Sequence, residues 1–178
     1  MANHRVTEEW MGESVETLED LLRPGLRAVC VGINPSPVSV RAGHYYQGRL
    51  GQRFFGRLRR VGLLPERIEG YEDDALFAAG VGFTDIVKRP TARADELRAE
   101  EYRHGGEELR RKLRTTAPTI AIFTYKKTAQ VLFGGFEGVG FLPRRGEDPY
   151  EPFVMPGPYA PRQRVDPVLA QLERRLGR

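Results

Sequence analysis

Leu26-Arg27-Ala28-Val29-Cys30-Val31-Gly32-Ile33 is a short apolar run closed abruptly by Asn34-Pro35. It reads as a buried strand of the type found in parallel sheets. Residues 81–87, 119–124 and 151–155 are three more strand candidates, each ended by turn or breaker residues. Helical spacing links them: Phe54, Phe55, Leu58 and Val61 within 51–62, then shorter or more charged stretches at 75–79, 100–114, 126–133 and 167–176. The 100–114 stretch has few apolar positions, which predicts a surface helix. Upstream, Val15, Leu18 and Leu21 predict a helix over 14–22, stopped by Arg23-Pro24-Gly25. Residues 1–13 read as a loose polar leader, and 14–178 as a single domain. Strands alternating with helices predict an α/β fold with a mainly parallel sheet. In such sheets ligands sit beyond the carboxyl ends of the strands. Three strand ends carry unusual loops, at 32–36, 84–91 and 155–164, and these are expected to converge on one crevice.

The chain has 178 residues, 40% of them hydrophobic, which suits one domain with a core large enough to need no disulfides. A single cysteine, Cys30, excludes a disulfide framework and a multi-cysteine metal site. His4, His44 and His104 are widely spaced in the chain, so no metal site and no cofactor are expected. No apolar run is long enough to span a membrane and no signal-peptide core is seen, so a cytoplasmic location is expected. A net charge of +4 permits a polyanionic partner without demanding one.

Several chemistries lack their motifs. There is no P-loop and no nucleophile elbow, and the Gly80-Val81-Gly82 and Gly138-Val139-Gly140 pairs lack the third glycine of a dinucleotide fingerprint. Asn34 is the most informative residue. Its bland role is to cap a turn; its sharper one is to hold a water or substrate group through a paired donor and acceptor. Asp85 either caps the following loop or pairs with Lys88 or Arg89, or serves as a carboxylate near Asn34 that polarises water or steadies a cation. Tyr45 and Tyr46 lie in a segment where seven arginines (41, 49, 53, 57, 59, 60, 67) face one acid, Glu66. That mixture suits base stacking and phosphate contact, although a solvated basic face is the simpler reading.

Gly32-Ile33-Asn34-Pro35, then Gln52-Arg53-Phe54-Phe55, then Gly82–Thr91 ending in Arg89-Pro90-Thr91, together resemble the mismatch-specific uracil-DNA glycosylases of the Mug/thymine-DNA-glycosylase family. The resemblance runs over roughly residues 20–176. It implies a three-layer α/β/α sandwich with a four-stranded sheet. The implied activity is hydrolysis of the N-glycosidic bond of a damaged or mismatched base, chiefly uracil opposite guanine, in double-stranded DNA, by a monomer. By the resemblance, Asn34 is the catalytic asparagine that positions water. Ile33, Ser39 and Tyr46 bind substrate, with Tyr46 where the family stacks an aromatic ring on the flipped base.

Departures from the pattern matter. Ser36 replaces the usual glycine of the first motif. Asp85 stands where Mug-type relatives often carry lysine, and is expected to act as a second catalytic residue. The final loop resembles the family's Asn-Pro-Ser-Gly-Leu-Ser-Arg least. Here the DNA wedge lies among Tyr159, Ala160 and Pro161, and the guanine or phosphate contact between Arg162 and Arg164. A non-catalytic nucleic-acid-binding relative and a nucleoside hydrolase remain the alternative readings.

Overall fold

The computed structural model describes residues 2–177. A five-stranded sheet forms its centre, in the order β4-β3-β5-β7-β6: β3 (Ala28–Gly32), β4 (Val81–Asp85), β5 (Ile120–Phe123), β6 (Gly140–Phe141) and β7 (Glu151–Val154). The first four in that order run parallel, and β6 closes one edge antiparallel to β7. The sheet thus has five strands rather than the expected four. The extra one is two residues long, too short for an apolar pattern to announce it.

Side chains alternate across the sheet with period two. Ala28, Cys30, Val81, Phe83, Ile120, Ile122 and Phe153 enter one core. Val29, Val31, Ala121, Phe123 and Val154 enter the other. The first core is covered by α2 (Arg49–Arg60), α3 (Glu72–Ala78) and α6 (Arg162–Leu176) through Phe54, Phe55, Leu58, Leu76, Val165, Leu169 and Leu172. The second is covered by α4 (Ala99–Thr116) and α5 (Lys126–Phe133) through Leu109, Leu113, Ala129 and Leu132. Helices on both faces make the three-layer α/β/α arrangement. The α4 helix is less superficial than its charge implies. Its Gly105 faces the carbonyl of Ile86 so closely that a Cβ there would collide with it.

Residues 5–18 overturn two expectations. They form an antiparallel hairpin, β1 (Arg5–Trp10) with β2 (Glu13–Leu18), in place of a loose leader and a helix. Met11 (φ +50°) and Gly12 (φ +85°) form the two-residue turn, both left-handed as a tight hairpin requires. Val15 and Thr17 point inward at strand spacing, and Trp10 seals the end of the second core. The 36–50 stretch, which has no clear period, opens with α1 (Pro37–Ala42). Ser36 caps it by accepting from the Ser39 amide, and Gly43 ends it at φ +74°. The departure of Ser36 from the motif glycine is therefore a helix cap. No described helix is long and apolar enough to cross a membrane.

Candidate active site

The loops after β3, β4 and β7 do meet, around a cavity of about 700 Å³. Ile33, Asn34, Ser39, Tyr46 and Asp85 all line it, with Phe54, Thr124, Tyr125 and Met155. That volume suits a nucleoside-sized ligand. Arg49, Arg53 and Arg57, spaced one helical turn apart on α2, form a basic wall.

Asn34 is held by a motif it does not touch in sequence. Its Nδ2 donates to the carbonyl oxygen of Arg89 at 2.9 Å and to the Thr91 Oγ1 at 2.8 Å. A carbonyl can only accept, so the orientation of the amide is fixed and Oδ1 remains the acceptor for a ligand. Thr91 is itself oriented, donating to the Arg93 carbonyl at 2.8 Å. The Arg89 side chain grips the fully buried Glu101 through Nε and Nη2, both at 2.7 Å. Trp10 Nε1 reaches the same carboxylate, which these partners hold down at about 2. Arg89-Pro90-Thr91 is thus a brace: its charged end anchors in α4 while its other end aims the Asn34 amide.

Asp85 pairs in register with Gly32 at the strand ends. It is 3% exposed, and its Oδ1 has no hydrogen-bond partner. Neither cation considered for it from sequence is available. Lys88 donates to the Leu18 carbonyl and, at 3.1 Å, to Asp20, and Arg89 holds Glu101. Burial pushes the Asp85 carboxyl up to about 7; the field of Lys88 tempers this and that of Asp20 adds to it. A carboxylate kept out of water, unpaired and poised near neutrality has the properties of a general base.

Gly32 makes this placement possible. A methyl group there would collide with Asp85 Oδ1 and come within 3.1 Å of the Tyr46 hydroxyl. Tyr46 adopts φ +57°, packs edge-on against Phe54 and Phe83, and buries its hydroxyl unpartnered. Ser39 accepts from the Gln47 amide at 3.1 Å, which ties the loop bearing Tyr46 to α1. Cys30 is buried within β3, and burial pushes its thiol up, so it is no nucleophile.

The divergent final loop has another support that sequence reasoning missed. Arg57 donates to the Pro156 and Gly157 carbonyls, and Arg53 to that of Pro158. The Arg53 guanidinium also lies 5.3 Å from the centre of the Tyr159 ring. Tyr159 is 75% exposed, whereas Ala160 packs on the core and Pro161 caps α6. Arg162 and Arg164 are exposed in the first turn of α6, outside the cavity. The alternation of arginine and aromatic residues carried the available signal, without naming which carbonyls the arginines would hold.

The site therefore joins an oriented amide, an unpaired buried carboxylate and a basic mouth at the carboxyl ends of parallel strands. Residues 19–166 match the family model described as "Uracil DNA glycosylase superfamily". That match spans most of the chain and includes every cavity residue discussed above, so the chain belongs to the uracil DNA glycosylase superfamily.

Proposed function

We propose that the protein is a monofunctional, mismatch-directed DNA glycosylase of the Mug/thymine-DNA-glycosylase type, acting as a monomer in the cytoplasm on uracil, chiefly opposite guanine. The observation that carries this reading is the unpartnered, buried Asp85 carboxylate in the same cavity as the oriented Asn34 amide. A base within a duplex hides its sugar C1′, so the nucleotide is extruded at a cost of a few kcal/mol, least at a mismatch. Tyr46 offers stacking to the flipped base, worth about 1–3 kcal/mol. The exposed Tyr159, steadied by Arg53, fits the wedge that fills the vacated stack, and Arg162 and Arg164 lie beside it for phosphate contact.

Cleavage of the C1′–N bond builds positive charge on the sugar and negative charge on the departing base. Asn34 Oδ1 accepts one hydrogen of a water and turns its lone pair toward C1′. Asp85 accepts the proton as the C–O bond forms, and its negative charge favours the cationic sugar. Uracil leaves as an anion. Lys88 spends its ammonium on Leu18 and Asp20, which favours attack by water over attack by an amine.

The test is release of uracil from a duplex with one U·G pair, read as alkali-cleavable abasic product. Asn34→Ala is expected to lower single-turnover release by about 100-fold or more while duplex binding persists. Duplex binding with no abasic product from the wild type would instead favour a non-catalytic relative. Hydrolysis of free uridine with no action on DNA would favour a nucleoside hydrolase.

A further inference from the structure

Two histidines far apart in sequence meet outside the cavity. The rings of His4 and His44 are 5.2 Å apart, edge to face. Two adjacent carboxylates from α3, Asp73 and Asp74, complete the group, and one potential ligand atom from each of the four lies within 4.8 Å of the others. His4, His44 and Asp73 are buried, while Asp74 keeps an edge open to solvent.

The arrangement is built before any ligand arrives. The His4 amide donates to the Gly43 carbonyl at 2.9 Å, and the His4 carbonyl accepts from Glu19. The His44 ring stacks on Tyr71 with centroids 3.6 Å apart, which fixes its plane. Asp73 accepts from the Tyr45 amide at 2.7 Å.

The pairing of rings with carboxylates is the informative part. His4 Nδ1 faces Glu19 at 3.1 Å while its Nε2 faces Asp74 at 2.7 Å. Both ring nitrogens of His4 thus face carboxylate oxygens, and a cation seated on the Nε2 side would bind ring and carboxylate together. A carboxylate behind one nitrogen and a metal on the other is the usual setting of a ligating histidine. His44 Nδ1 lies 2.9 Å from Asp73 Oδ1 and 3.9 Å from Asp74 Oδ2. Ligands around a tetrahedral zinc ion sit about 3.3 Å apart, so the close pairs, at 2.7 and 2.9 Å, would open and the widest, within 4.8 Å, would draw in as an ion entered.

From this geometry we infer that His4, His44, Asp73 and Asp74 form a structural zinc-class site, with Glu19 orienting His4. Two imidazole nitrogens and two carboxylate oxygens suit Zn²⁺ better than Ca²⁺ or Mg²⁺, which favour all-oxygen shells. His4 precedes the segment matched by the family model, so the site joins the N-terminal strand pair to the superfamily core. It would also stiffen the loop running from His44 to Tyr46.

The experiment uses the full chain, stripped with EDTA, then titrated with ZnSO4 or CoCl2. Calorimetry is expected to give one ion per chain, and Co²⁺ the visible bands of a tetrahedral site. Zinc at about a hundredfold its Kd should raise the melting temperature by about 5–10 °C. Asp74→Asn, a small change at a part-exposed position, and His4→Gln should each weaken zinc binding at least about tenfold. Folded wild-type protein that neither binds zinc saturably nor gains melting temperature would overturn the inference, leaving a hydrogen-bonded cluster around a protonated His4. Undiminished binding by folded Asp74→Asn would equally overturn it.

Discussion

Replacing Asp85 with asparagine should make the protein more stable and much less active, with a pH signature in both properties. The Asp85 carboxyl is raised by burial from 3.8 to about 7. Unfolded chains release that proton near pH 4, whereas the folded protein retains it until near neutrality. Between those values the folded state binds more protons, so this residue's contribution to stability falls as pH rises. At 1.36 kcal/mol per pH unit, the penalty is about 2 kcal/mol at pH 5 and levels off at roughly 4 kcal/mol above pH 7. The asparagine carries no such penalty. Its stability advantage over the wild type should therefore grow by about 1–3 kcal/mol between pH 5 and pH 8, the lower end allowing for solvent entering the cavity and for an imperfectly paired amide. Urea unfolding of both proteins at the two pH values measures this. In the same pair, single-turnover uracil release by the wild type should rise with pH through an apparent pKa of about 7. The variant should be about 100-fold slower and nearly flat. A constant stability difference from pH 5 to pH 8 would refute the assigned burial cost. A variant rate within twofold of the wild type would leave Asp85 as a loop residue only.

Three other outcomes probe the surroundings. Thr91→Val removes the hydroxyl that fixes Asn34 and is expected to lower turnover about tenfold, with little change in duplex affinity at fixed salt. Tyr159→Ala should slow release from a matched U·A pair more than from U·G, since the wedge matters most where extrusion costs most; equal effects on both would remove Tyr159 from that role. Glu101→Gln breaks an ion pair whose carboxylate is buried and whose guanidinium keeps an edge in solvent, and should cost about 1–3 kcal/mol in urea unfolding.

The parallel strands were legible because each is a short apolar run between breakers, as in 26–33 and 119–124. Their common direction fixed where the ligand loops had to gather, so Asn34 and Asp85 could be placed at one end of the sheet from the sequence alone. The hairpin was not legible. Val15 and Leu18 are three apart, which fits a helix, and Met11-Gly12 is an uncommon pair for a left-handed turn. Long-range polar contacts were also hidden. Thr91 reaches Asn34 across 57 residues, and Arg57 reaches the Gly157 carbonyl across 100. Local patterns carry no record of such pairings. The sequence spacing of the histidines hid their neighbourhood for the same reason, since His4 and His44 adjoin in space.

The hairpin bears on the chemistry as well as the fold. Lys88, whose field holds the Asp85 carboxyl down, is 3% exposed and needs partners to stay charged there. Those partners come from the N-terminal segment: the Leu18 carbonyl at the end of β2, Asp20 just beyond it, and Glu8 on β1 at 4.0 Å. Asp20 also binds Lys112 of α4 and raises the Asp85 carboxyl through its own charge. Without Lys88 the buried carboxyl would titrate higher, and less of it would be ionised and able to accept a proton at neutral pH. The N-terminal segment thus supplies both the partners that keep Lys88 beside Asp85 and the acid that opposes it, and so sets the charge balance beneath the cavity floor.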